Sequence, residues 1–392
     1  MIKLNRMVLY FFIFTVPFQK SIIIPYLGSL NKFVGFLLVI TAIITVFSNK
    51  NVKKIPFAFI MLFLFLILNI SSLYWGASLS DGINKTILYI QLIFIFWTIY
   101  EFINTKNEAQ NIMKAFVFGC LVIALQALYS NLSGGATSGV ESSRFFLDGY
   151  NPNALGIIWV FGMVISIYLS FNVSRNYFIS LPLFLYLIFL TGSRTALILT
   201  IILALATIWY IVHFKVRYRI TILVFLTVAT VFVYTLIPQA QLERLGTISN
   251  EFASRDLNGR IAIWKSGISA LKENPIFGVG VGSFQEVNAM YSQSEIEMSS
   301  HNSYLTILVE NGIFGSLIFF AFLFSLAIYA WKTQIDKKLR WLSLTLIILW
   351  LILSFASHAE AQKYTWVIFG IVLSNFYIDR KQLWENKISS HD

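Results

Sequence analysis

Charge is scarce in this sequence, and cysteine is nearly absent. Only 12% of the 392 residues are Asp, Glu, Lys or Arg, whereas a soluble domain carries roughly 25%. That deficit argues against an ordinary water-soluble fold. The one cysteine, Cys120, lies inside an apolar run. A single thiol excludes an internal disulfide and a cysteine metal cluster, and leaves a small buried hydrophobe as the ordinary reading. No nucleophile-elbow GxSxG pattern occurs, no His/Asp/Glu group stands at metal-ligand spacing, and no internal repeat is evident. The basic, apolar start MIKLNRMVLYFFIFTVPF resembles a signal peptide but lacks a small-residue cleavage site, so it reads as a retained first helix.

What is present is apolar: 57% hydrophobic residues, 37 of them Phe, and a mean hydropathy of +0.74. The runs are continuous rather than alternating. They therefore predict an all-α integral membrane protein instead of a membrane barrel. Segments near 7–27, 29–47, 56–75, 83–103, 114–131, 153–172, 177–191, 195–213, 219–238, 303–331, 339–357 and 364–378 read as spans. The first two share a tight turn at Pro25–Gly28 and alternatively form one re-entrant hairpin. The expected organisation is a bundle over 1–238, a large loop over 239–302, and a C-terminal membrane segment with its tail over 303–392.

A net charge of +11 suggests nucleic acid in a soluble protein, but in a membrane protein Lys and Arg set topology. With both termini inside, the inner segments collect 18 of the 29 basic residues. They include Lys3, Arg6, Lys53, Lys106, Arg175, Lys215, Arg217 and Lys338. Short outer segments hold Lys20, Lys32, Lys85, Arg144, Arg194 and Lys363. The other five lie in the long loop, which translocates largely regardless of charge. The expected orientation therefore puts both termini in the cytoplasm and the loop outside, with no nucleic-acid partner.

That orientation gives the outer arginines meaning. Arg194 stands in the short turn TGSRTA, where it is either a snorkelling side chain or an anion ligand at the membrane surface. In the loop, GRIAIWKSGISALKEN puts Ile261, Trp264, Ile268 and Leu271 at helical spacing, which predicts an amphipathic helix at the interface. Asn274-Pro275 stops it. FGVGVGSF has neither a preceding strand nor a GK[ST] end, so its glycines are expected to make tight turns rather than cradle phosphate. SSHNSYLTILVENGIFG opens the tenth span, with Ser299 or Ser300 as its expected cap. His301 thus falls at the outer mouth of a span. A lone histidine is usually structural, but Arg194, Arg255 and Arg260 share its membrane face.

Outward arginines at headgroup level suit a phosphorylated lipid, because guanidinium groups bind phosphate in bidentate fashion. They would also stabilise the charge on a departing diphosphate. A histidine kept neutral by those arginines can take a proton from an acceptor hydroxyl. Metal-free transfer is favoured over hydrolysis, and no cofactor is implied.

GSRTA at 192–196, GRIAIW at 259–264, NPIFGVGVGSF at 274–284 and HNSYLTILVENGIFG at 301–315 together resemble the bacterial O-antigen ligase superfamily, which includes O-antigen and exopolysaccharide polymerases. The hydropathy layout extends the likeness over almost the whole chain. The resemblance implies an inverting, metal-independent glycosyltransferase in the bacterial inner membrane, working on its periplasmic face. Its donor would be a glycan on undecaprenyl diphosphate, and its acceptor a lipid A–core sugar or another lipid-linked repeat unit. By motif, Arg194 and Arg260 match the arginines thought to hold the diphosphate, and His301 the histidine proposed to activate the acceptor. Substrate-contact candidates beside them are Arg255, Trp264, Asn302 and Glu310, the last a carboxylate inside a span. SRFFLDGYNPNALG at 143–156 adds Arg144 and Asp148. That pattern is associated more with polymerases, although a Pro-Asn turn starting a helix also accounts for it. A transporter or flippase is the rival class, and it would show midplane binding residues and repeated halves.

Overall fold

The computed structural model describes residues 1–26, 28–48, 52–133, 145, 147–217, 219–237, 260–292 and 298–389. Arg144 and Arg255 lie outside the described residues. The chain is all-α: α1 (Ile2–Thr15), α2 (Leu30–Ser48), α3 (Phe57–Ser72), α4 (Leu79–Phe102), α5 (Lys106–Leu132), α6 (Pro152–Asn172) and α7 (Ser180–Thr191). There follow α8 (Arg194–His213), α9 (Arg219–Thr235), α10 (Arg260–Glu273), α11 (Phe284–Ser292), α12 (Ser303–Lys332), α13 (Lys337–Leu353) and α14 (Lys363–Ser389). Two 3-10 turns cover Arg175–Ile179 and Ala359–Ala361. Each of the twelve predicted apolar segments overlaps a helix. Six of these, α2, α4, α5, α6, α8 and α12, are long and apolar enough to cross a bilayer.

The first segment differs from expectation. α1 stops at Thr15: Val16 keeps a helical conformation and its amide turns back to the carbonyl of Ile13, while Pro17 has no N–H to carry the ladder further. The chain then makes a two-residue antiparallel hairpin, Ile23–Ile24 on Gly28–Ser29. The seventh segment likewise divides into the Arg175–Ile179 turn and α7.

α6 lies at the centre, and every residue from Leu155 to Ser170 is buried, as a helix apolar on all sides must be. Its start is written locally: the Asn151 side chain caps the Asn153 amide at 2.8 Å, and Pro152 occupies the first turn, where no N–H is needed. The Pro-Asn turn is thus a helix start. Cys120 is fully buried and packs at Gly162 of α6. Aromatic rings fill the seams between α4, α12 and α14, with Phe322 stacked on Trp366 at 5.9 Å and Phe96 edge-on to both.

The bundle has two polar ends. At one, Arg6 pairs with Glu108, Lys106 with Asp336 at 2.5 Å, and the Lys53 ammonium donates to the carbonyl of Ile103 at 2.9 Å. Basic residues that the charge count groups together therefore share this end. The other end gathers the starts of α6, α8, α12 and α14. Gly156 meets Ser193, the Phe161 ring meets Tyr364 at 5.8 Å, and the Ser303 amide donates to the carbonyls of Ser354 and Ser357.

The segment after α10 is inserted into this second end. α12 is broken at Gly312, whose φ of +62° and ψ of −169° are not helical. A broken helix inside an apolar bundle must find new partners for its freed groups. Residues 275–280 supply them: the amides of Val279 and Gly280 donate to the carbonyls of Val309 and Glu310, each at 2.9 Å. In return the amides of Ile313 and Phe314 donate to the carbonyls of Pro275 and Ile276 at 2.9 and 3.1 Å. Close backbone approach makes two glycines obligatory. A Cβ on Gly312 would strike the carbonyl of Ile276, and one on Gly280 would strike Gly76 between α3 and α4. The Ser72 hydroxyl accepts the Val281 amide at 3.0 Å, and the Ser283 hydroxyl accepts that of Ala77 at 3.0 Å. The glycines do make turns, as their spacing suggests, and they also splice the loop into two helices.

Candidate active site

Arg194 is placed by a compact turn. Gly192 ends α7 in the left-handed conformation, φ +55°, and the Ser193 hydroxyl caps the Ala196 amide at 3.4 Å. Arg194 becomes the first residue of α8, half-buried at the head of an apolar cavity of about 650 Å³ between α6, α7, α8 and α9. Phe189, Leu197, Ile201 and Leu223 are among its walls. The amide of Phe145 donates to the carbonyl of Leu190 at 3.3 Å, so the segment bearing Asp148 abuts this turn. Asp148 itself is exposed.

Arg260 and His301 are brought together by Trp264. The Trp264 indole donates to the carbonyl of Ser300 at 2.9 Å, fixing α10 to the residue before His301. Arg260 stands four residues earlier, on the same face of α10, and its charge acts on the His301 imidazole. The helix also has a second face, of mostly small residues, that packs on the protein. Ile263, Ser266, Gly267 and Ala270 face the protein, Trp264 is half-buried, and Ile268 is exposed. The Phe284 ring lies so close over Gly267 that a methyl group there would touch it at 3.0 Å, and only a face of small residues admits that approach. In the same segment, the cap of α12 is Asn302 rather than Ser299 or Ser300, its side chain accepting the Leu305 amide at 3.1 Å. The Ser300 hydroxyl donates instead to the carbonyl of Asn302 at 2.9 Å.

His301 has φ +49°, a left-handed conformation that costs a non-glycine residue roughly 1 kcal/mol or more. Its backbone amide donates to Nε2 of His358 at 3.0 Å. With Nε2 accepting, a neutral His358 carries its proton on Nδ1, which lies 3.2 Å from the Thr306 hydroxyl and 3.6 Å from the Glu360 carboxylate. Glu360 is 1% exposed. Burial raises its pKa, but the interactions with His358, Lys85 and Ser303 more than reverse this, and the net shift is downward. His301 is itself held below its ordinary value of 6.5, first by desolvation and then by its neighbours His358 and Arg260. A neutral imidazole at the mouth of α12 is the form that accepts protons.

Glu310 is 2% exposed and grips Lys85 of α4 through both oxygens, at 2.7 and 2.8 Å. His358, Glu360 and Lys85 were absent from the sequence candidates. The signal for the first two was present in SHAEAQK at 357–363, which puts a second histidine and a carboxylate in a short segment on the same predicted membrane face. Among the described residues, no three His, Cys, Asp or Glu side chains form a group able to hold a metal ion.

These elements define a helical membrane protein with an arginine–histidine site at one end of its bundle. Residues 178–320, from the turn before α7 into α12, match the O-antigen ligase family model Wzy_C, which supports the resemblance that the motifs carry. The match spans Arg194, Arg260, His301 and Glu310; His358 and Glu360 lie beyond it. No curated protein matches the chain.

Proposed function

We propose that this chain is a membrane glycosyltransferase that moves a glycan from undecaprenyl diphosphate to an acceptor sugar hydroxyl at the periplasmic face of the inner membrane. The observation that carries the reading is the His301–Arg260 pair, in which a neutral imidazole sits within the field of a guanidinium at the mouth of a membrane helix. His301 takes the acceptor proton as its oxygen attacks the anomeric carbon, which inverts that centre. Arg260 and Arg194 hold the diphosphate, which leaves as a bound anion and needs no acid. The apolar cavity headed by Arg194 suits the adjoining prenyl chain, so the donor enters sideways from the bilayer. Lipid A–core is the proposed acceptor, making the protein a ligase. The second reading is a polymerase joining lipid-linked units, favoured by the docking of the Asp148 segment beside the Arg194 turn. A transporter fits less well, because the break in α12 is filled by the glycine loop instead of opening on a midplane site.

Gel banding of surface glycan from a deletion strain tests both readings. Loss of a ligase leaves polymerised glycan on its lipid carrier and no capped core. Loss of a polymerase leaves single repeat units attached to core. Unchanged banding would refute both.

A further inference from the structure

The end of the bundle opposite His301 holds a cavity of about 280 Å³ with a different character. Arg175, Lys215, Arg217 and Lys338 line it, and no carboxylate does so among the described residues. These cations come from three places: the turn after α6, the link from α8 to α9, and the first turn of α13. One wall is a rigid aromatic stack, Phe171 on Tyr210 with centroids 5.0 Å apart.

Two features go beyond what a general excess of inner lysine and arginine would produce. First, Lys215 has φ +47°. It occupies the left-handed position that closes α8, with the Val216 amide donating to the carbonyl of Ile211 at 3.2 Å, a site where glycine is the usual residue. A lysine anywhere in this link would serve topology equally well, yet this one sits where its backbone is strained. Second, Lys337, Lys338 and Arg340 open α13 with no acidic residue in its first turn. Helix N-termini favour anions and disfavour cations. Asp336, the cap of this helix, is already engaged by Lys106 and by the amides of Lys338 and Leu339. Positive potential is therefore concentrated here against local preference, and a bound anion would relieve it.

We infer that this cavity binds the phosphate of an anionic phospholipid from the adjoining leaflet, with the cations around the phosphate and the aromatic wall against the glycerol. Its volume suits a headgroup rather than a whole lipid, and basic pockets between membrane helices bind lipid phosphates in this way. The inference is independent of the transferase reading.

The test uses the purified full chain in mild detergent, with thermal unfolding followed as short-chain phosphatidylglycerol, short-chain phosphatidylcholine or inorganic phosphate is added. Phosphatidylglycerol should stabilise the protein and phosphatidylcholine should not. Lys215→Gly should weaken the phosphatidylglycerol response about five-fold, the order expected for losing one cation near a lipid surface. The ligand-free variant should unfold no earlier than the parent, because glycine relieves the strained backbone. Lys338→Gln should weaken the response similarly. Equal stabilisation by phosphatidylcholine, or a Lys215→Gly protein that responds like the parent, would overturn the inference. Full stabilisation by inorganic phosphate alone would overturn the lipid as ligand.

Discussion

His301 depends on neighbours that are remote in the chain. Its imidazole must be neutral to accept a proton, and desolvation, His358 and Arg260 all push its pKa below 6.5. Transfer activity should therefore persist under mildly acidic conditions, with the acid limb of the pH–rate profile falling below pH 6.5. Arg260→Gln removes one of the depressing charges, so the midpoint of that limb should move upward, whatever happens to the maximal rate. A profile unchanged by Arg260→Gln would separate the two residues functionally. His301→Ala should abolish transfer at normal membrane abundance, measured as capped glycan against immunoblot signal. His358 acts on the backbone: its Nε2 accepts the His301 amide and so supports a left-handed residue. Glutamine can present an oxygen near that position and alanine cannot. His358→Gln should keep a measurable fraction of activity, while His358→Ala falls about ten-fold or more, a loss of one charge-free hydrogen bond at a strained position. Equal activity of the two variants would remove His358 from the site.

At the scale of elements, the decisive feature is the exchange between the glycine loop and the broken α12. Both partners are backbone, so side-chain chemistry contributes only by staying out of the way. Gly312→Ala would place a methyl group against the Ile276 carbonyl at a positive φ. A destabilisation of about 3 kcal/mol or more is expected, seen as an earlier thermal transition together with protease sensitivity after α10. The Lys85–Glu310 pair ties α4 to α12 at the same break. Lys85→Met strands a carboxylate that is 2% exposed and should cost about 3 kcal/mol. The double variant Lys85→Met/Glu310→Leu should recover most of that loss. If the stable double variant still transfers glycan, Glu310 is a strut; if it is stable but inactive, Glu310 contacts substrate.

At the scale of the molecule, apolar periodicity and length were enough to locate every helical segment that the structure shows within the predicted spans, because each satisfies its own backbone hydrogen bonds in a continuous run. The start of α6 at Asn151 and Pro152 was legible for the same reason, since a helix end is a local problem, whereas the Thr105–Glu108 cap starts α5 at Lys106, ahead of the expected span. The motifs GSRTA, GRIAIW and HNSYL located Arg194, Arg260 and His301, and the family match over 178–320 covers the same residues. What stayed hidden was every relation that depends on which helices are neighbours. No pattern in the chain pairs Lys85 with Glu310, 225 positions apart, or turns the small face of α10 inward against Phe284. SHAEAQK gives no hint that His358 holds the amide of residue 301. Hydropathy and motif spacing report what each segment must do alone, so the sequence by itself determined a helical membrane protein and singled out three candidate residues by motif. The tertiary structure decided their support: the loop spliced into a helix break, the second histidine and its buried carboxylate, and the basic cavity at the far end. Those features arise where backbone groups and charges removed from water find partners in other helices, and only the packing of the whole bundle specifies which partners they find.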